Sequence, residues 1–250
     1  MNDAIQAETK MIAGAGGDEI EAYYARPLDP RPRGGVVVIH HMPGYDAGTK
    51  EMVRTFAVNG FAAICPNLYY RDAPGASPDD ASAFVRGRGG VPDERLVGDV
   101  GAAAAFLRAQ PGSNRKVGVI GHCSGGRQSV LAACDLPAGT LDAAVDCYGA
   151  FVLTSAPEGS PLKATSLRDK LPQLSCPLLG LFGAEDQYPS PAEVEEFEKE
   201  LTALGKTFEF HSYEGAGHAF FAVHRPSYRV DAANDGWQRI FAFYGRHLGA

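Results

Sequence analysis

The stretch Val117-Gly118-Val119-Ile120-Gly121-His122-Cys123-Ser124-Gly125-Gly126 constrains this chain more than any other. An apolar, β-branched run ends in Gly-x-Cys-x-Gly, and a segment compatible with a helix follows. A strand that turns sharply into a helix brings backbone against backbone, so a Cβ at either flanking glycine would collide. Such a turn lifts the Cys123 sulfur above the end of the strand. It also aims the Ser124 N–H, at a helix N-terminus, toward any negative charge that develops there. The plain alternative is a tight turn that merely holds a buried cysteine.

The rest of the chain alternates strand and helix signals around this turn. Residues 8–27 read as two short strands joined at Gly16-Gly17. Gly35 to His40 is apolar on both faces, as a central parallel strand is. Helical spacing runs from Thr49 to Asn59, with Gly60 as its stop, and Phe61 to Cys65 is the next strand. A helix is expected from Pro92 to Gln110, then the strand Lys116–Gly121 and its helix Gly125–Ala133. Strands over Asp142–Tyr148, Pro177–Phe182 and Thr207–Tyr213 follow. A helix capped by Ser190 runs to Leu204 between the last two, and an amphipathic helix from Ala232 to Leu248 closes the chain. Residues 67–91, rich in Pro, Asp, Gly and Ala, are too polar and broken for regular core structure and are expected to form a lid or rim loop. Residues 149–171 read as an irregular excursion. The alternation predicts an α/β fold over residues 1–250 as a single domain, with a mostly parallel central sheet and helices on both faces. Right-handed crossovers then bring the C-terminal strand ends to one edge.

Composition narrows the function. The 23 Lys and Arg residues are scattered and are outnumbered by 30 Asp and Glu, for a net charge of −7, so no nucleic-acid partner is expected. The first eight residues lack the basic and apolar regions of a signal peptide, and no apolar run reaches membrane-spanning length. The cysteines number 5, an odd count, and no pair has CxxC spacing. A reducing, cytoplasmic setting without a membrane partner is therefore expected. Cys65, Cys147 and Cys176 adjoin apolar runs and read as small buried hydrophobes. No cofactor is implied, since there is neither a GxGxxG after the first strand nor a P-loop. No metal site is expected either: His40 and His41 are adjacent in a strand and point to opposite faces, and no HxH or HExxH spacing occurs. A monomer or small homo-oligomer acting on a small molecule fits these limits.

A cysteine nucleophile needs a base, and the base needs an orienting acid. Asp186 lies just past a predicted strand in Leu181-Phe182-Gly183-Ala184-Glu185-Asp186. His218 lies just past the next in Tyr213-Glu214-Gly215-Ala216-Gly217-His218. Cys123, Asp186 and His218 thus fall on one sheet edge, in the chain order nucleophile, acid, histidine found in α/β-hydrolases. Glu185 is the competing acid. His122 is read as a wall of the pocket, because neighbours on a sharp turn point apart. Ser124 as nucleophile would want glycine at position 122. His211 and His247 are read as structural.

With these motifs in place, the chain resembles the dienelactone hydrolase (carboxymethylenebutenolidase) family of the α/β-hydrolase superfamily over roughly residues 20–245. The resemblance rests on Cys65-Pro66-Asn67-Leu68-Tyr69, the Cys123 turn, Gly183-Ala184-Glu185-Asp186 and Tyr213-Glu214-Gly215-Ala216-Gly217-His218-Ala219-Phe220. It implies the α/β-hydrolase fold, Cys123 as nucleophile, His218 as base, Asp186 as acid, and the backbone N–H groups of Ser124 and Met42 as oxyanion donors. The implied reaction is cleavage of a carboxylic ester or lactone through a thioester. Two positions depart from the family pattern. His41 stands where a thiol-contacting glutamate is usual, which makes its imidazole a candidate proton acceptor for the thiol. Ala222 stands where an arginine holds the substrate carboxylate, with Arg225, Arg86 and Arg88 as candidate replacements. The rival readings are a non-hydrolytic binding scaffold, a thiol hydrolase of another acyl or phosphoryl electrophile, and a thiol redox protein, for which no second cysteine is placed at a sharp turn or strand end and Cys147 is the nearest resolving thiol.

Overall fold

Alternate residues of the central strands face opposite sides, and both sides are apolar. Val37 and Ile39 enter one core cluster, Val36 and Val38 the other, and all four are at most 1% exposed. Full burial of each such side chain contributes about 1.5–3 kcal/mol, so these strands are stable only when covered on both faces. The computed structural model, which describes residues 4–160 and 163–249, has that arrangement. Met1 to Asp3, within the N-terminal segment read above, and residues 161–162, within the expected excursion, lie outside the described residues, as does Ala250.

The elements run β1 (Ile5–Ala13), β2 (Glu19–Pro27), β3 (Arg33–Ile39), α1 (Ala47–Val58), β4 (Ala62–Pro66), α2 (Pro78–Gly87), α3 (Asp93–Ala109), β5 (Ser113–His122), α4 (Ser124–Asp135), β6 (Ala143–Cys147), β7 (Leu178–Gly183), α5 (Pro191–Ala203), β8 (Phe208–Tyr213) and α6 (Val230–Leu248). They form an 8-stranded sheet in the order β1-β2-β4-β3-β5-β6-β7-β8. β1 and β2 are antiparallel to each other, β2 is antiparallel to β4, and every later pairing is parallel. Apolar residues of α3, α4 and α5 pack on one face, and those of α1 and α6 on the other. The expected α/β-hydrolase architecture, a mostly parallel sheet covered on both sides, is the one observed. No helix among the described residues is long and apolar enough to cross a membrane.

Three local readings change. Residues 67–91 are not without regular structure, because Pro78–Gly87 forms α2. Ser77 caps it by accepting from the Asp80 N–H at 3.2 Å, and Ala81, Ser82 and Val85 are buried beneath it. His40 and His41 lie beyond β3, which ends at Ile39, so their divergence comes from the loop rather than from strand alternation. Cys147 is the last residue of β6, a strand end, where it pairs in register with His122.

Candidate active site

Cys123 joins β5 to α4 with φ 57° and ψ −123°, a conformation rarely taken by a residue with a Cβ and sustained only where the surroundings enforce it. The surroundings here are glycine backbone. A Cβ on Gly121 would run into the backbone of Gly125, and one on Gly125 would come within 2.8 Å of the Ile39 carbonyl. The Cys123 N–H donates to the Cys147 carbonyl at 3.0 Å, and its own carbonyl accepts from Gly126 at 2.9 Å. Ser124 opens α4, so its N–H has no carbonyl of its own helix to donate to. Other non-glycine residues with positive φ gather around the same spot: Tyr148 at 46°, Phe151 at 62° and Ala219 at 64°. Each lines one of the two cavities that open beside Cys123.

His218 and Asp186 reach Cys123 from the loops after β8 and β7. Those loops are bonded to one another beyond the strands, Ala184 N–H to Tyr213 carbonyl and Glu185 N–H to Ala216 carbonyl, both at 2.9 Å. Gly183 permits this approach, since a Cβ there would strike the Ala216 carbonyl. The His218 ring, through Nδ1, bonds Asp186 Oδ2 at 2.8 Å, and Asp186 Oδ1 accepts from the Tyr188 N–H at 2.9 Å. The Asp186 side chain is 2% exposed, whereas Glu185 is exposed and engages through its backbone. The neighbouring carboxylates are thus told apart by burial and by partner. For His218, burial works against the charged form. Its hydrogen bonds to Asp186 and to the Cys123 side chain, with the charges of both, outweigh burial and raise the imidazole to about 10.

The Met42 loop supplies the other wall. Its turn is closed by the Gly44 N–H donating to the His41 carbonyl at 2.9 Å. The Met42 carbonyl accepts from Tyr69 Oη at 3.0 Å and from Ser82 Oγ at 2.9 Å, so the 67–91 segment anchors this peptide. His41 turns Nε2 to Asp46 Oδ2 at 2.8 Å. Asp46 is also the N-cap of α1 and accepts from the Thr49 N–H at 2.7 Å. His122 is buried, and neither ring nitrogen has a protein partner among the described residues. Burial, with a smaller repulsion from His41, pushes its imidazole down to about 3, so it stands in the site as a neutral ring. Burial also pushes the Cys147 thiol well above its ordinary value.

The two cavities share Met42, Cys123 and His218 among their lining residues. The larger, about 500 Å³, also carries Ser124, Arg127, Lys163 and Tyr188; the smaller, about 330 Å³, carries His41, His122, Ala222, Arg225 and Trp237. Arg225 is exposed at the mouth of the smaller cavity. Arg86 and Arg88 line neither. Arg86 donates to the Ser82 carbonyl at 3.3 Å, and the Arg88 guanidinium lies over the Phe84 ring at 5.4 Å. The sequence reading passed over Arg127, which is 5% exposed and donates to the carbonyls of Phe151 and Thr165 at 3.2 and 2.6 Å. Its position four residues after Cys123, one helical turn on, was the available signal.

Comparison with known proteins gives a consistent picture. The model of the family described as "Dienelactone hydrolase family" matches residues 20–248. The protein named "Putative carboxymethylenebutenolidase" of Methylorubrum extorquens AM1 is 34% identical over 249 residues, covering 98% of this chain and 83% of the relative. The carboxymethylenebutenolidase of Pseudomonas putida is 32% identical over 203 residues, covering 79% of each. The crystal structure titled "Putative Dienelactone Hydrolase", from Klebsiella pneumoniae, superposes with a TM-score of 0.84 at 31% identity, covering 97% of this chain and 99% of that one.

Proposed function

Because this chain belongs to the dienelactone hydrolase family, we propose that it hydrolyses carboxylic esters or lactones with Cys123 as nucleophile, His218 as acid and base, and Asp186 as the group that orients His218. The observation that carries the reading is the position of His218, bonded to Asp186 at 2.8 Å and engaged with the Cys123 side chain where two cavities meet. A raised imidazole beside a thiol favours the thiolate–imidazolium pair, and the thiolate is the nucleophilic form.

The sulfur of Cys123 attacks the ester carbonyl carbon, and the carbonyl π pair becomes an oxyanion. The N–H groups of Ser124 and Met42 stabilise that charge. Collapse re-forms the carbonyl and breaks the carbon–oxygen bond to the alcohol, which leaves with the proton held by His218. Neutral His218 then takes a proton from water. The resulting attack cleaves the thioester, releases the carboxylic acid and restores the thiolate–imidazolium pair. Asp186 keeps Nδ1 protonated and leaves Nε2 for the reacting atoms.

The test is stopped-flow hydrolysis of a chromogenic short-chain ester by wild type and Cys123→Ala. A burst of one product equivalent followed by turnover is expected in wild type, with both lost in the variant. Equal rates in the two proteins would place the chemistry elsewhere.

A further inference from the structure

The cavities that meet at Cys123 have unlike walls. The larger is edged by charge: Arg127 lines it, 3.8 Å from Asp93, and Lys163 has no ion pair among the described residues. The smaller has an inner wall of rings. Phe221 and Trp237 meet edge to face with centroids 5.6 Å apart, and His122 meets Phe221 in the same way at 5.2 Å. His122 adds no charge, because burial keeps it neutral. Tyr148, Met52 and Pro43 extend the apolar lining, His41 and Thr55 are among its polar members, and the charged Glu51 and Arg225 are exposed at the mouth. Ala222, whose side chain is a single methyl group, lines this cavity together with Cys123.

We infer that the smaller cavity is a second substrate subsite, which takes an aromatic ring carried on one side of the reacting ester or lactone carbonyl. The inference rests on the ester hydrolase reading of the same site. An apolar cavity of roughly 150 Å³ admits benzene, and this one measures about 330 Å³. A ring seated there loses its apolar contact with water and meets the edges and faces of Phe221 and Trp237, the arrangement that aromatic pairs favour. A small alkyl group would leave most of the lining uncovered. The larger cavity has a ring pair too, Phe151 and Tyr188 with centroids 5.8 Å apart, but Tyr188 is 55% exposed, so the more enclosed rings direct an aryl arm to the smaller cavity.

The experiment compares three esters by proton release at constant pH: ethyl acetate, benzyl acetate with the ring on the alcohol arm, and ethyl phenylacetate with the ring on the acyl arm. In wild type, one of the two aryl esters is expected to exceed ethyl acetate in kcat/KM by about tenfold or more. In Ala222→Phe, whose ring fills the cavity, that ratio falls toward one. A ratio near one in wild type for both aryl esters, or an advantage that survives Ala222→Phe, overturns the inference. Trp237 supplies a readout independent of turnover, because it is the chain's 1 tryptophan. In Cys123→Ala protein its fluorescence should change saturably on titration with the preferred aryl ester, and not when Ala222→Phe is added. If wild type hydrolyses none of the three esters, the hydrolase reading fails. The titration, run with both aryl esters, then decides the subsite alone: saturation with either supports it and a flat response to both overturns it.

Discussion

Nδ1 of His218 lies 2.8 Å from Oδ2 of Asp186, although the two residues are 32 positions apart and belong to different loops. Bonds between those loops, Ala184 to Tyr213 and Glu185 to Ala216, hold the pair where the imidazole also engages Cys123. The geometry depends on the backbone before it depends on either side chain.

Asp186→Asn tests that pair twice. On the proposed mechanism, the amide favours the wrong tautomer of His218 and lowers kcat/KM by roughly 10³- to 10⁴-fold, measured with the chromogenic ester. It also removes a partner that raises the imidazole toward about 10. A group whose folded pKa is raised contributes stability that is fully present below its unfolded pKa and is lost as pH rises through the folded value. The loss of stability in Asp186→Asn should therefore be greatest near pH 6 and fade toward pH 10. Urea midpoints at pH 6, 8 and 10 check this, and a loss that grows with pH contradicts it.

Tyr69→Phe with Ser82→Ala removes both side-chain donors from the Met42 carbonyl. Each neutral hydrogen bond of this kind contributes about 0.5–1.5 kcal/mol. If these bonds orient the Met42 N–H toward the oxyanion, the double variant loses kcat by about 5- to 50-fold while KM moves less. Equal loss in kcat and gain in KM would instead mark a general loosening of the pocket.

Asp146 is fully buried in β6, and its Oδ1 accepts from the Gly149 N–H at 2.7 Å while Oδ2 has no partner among the described residues. Burial raises this carboxyl to about 7, against the Gly149 bond, which lowers it. The folded state then binds the proton more tightly than the unfolded state does, so stability falls as pH rises from about 4 to 7. Asp146→Asn keeps the acceptor for Gly149 and removes the charge. It should be more stable than wild type at pH 8, with the advantage gone at pH 4, as read from urea denaturation at both values.

Much of the site was legible because its signals are local. The glycines around Cys123 read as a sharp turn, and they are the residues where a Cβ would meet backbone. Cys123 and Asp186 each follow a short apolar run, and His218 follows an alternating one, at a predicted strand end. The α2 helix was missed although its signals were local too: Ser77 as cap, Pro78 at the first turn, then Asp79 and Asp80. The Pro, Gly and Asp content of the whole segment outweighed a ten-residue helix that buries only one narrow face.

The sequence by itself determined the alternation of elements, the parallel sheet covered on both sides and the strand ends that carry the candidate triad. Hydrophobic period and turn chemistry act over a few residues, and they suffice for that. Only the tertiary structure decided that Asp186 rather than Glu185 meets His218, that His41 turns to Asp46, and that Arg86 and Arg88 stand outside the cavities. It alone assembled the ring-lined cavity, because His122, Phe221, Ala222 and Trp237 come from separate parts of the chain. Their contact energies exist only once the sheet brings β5, the loop after β8 and α6 together.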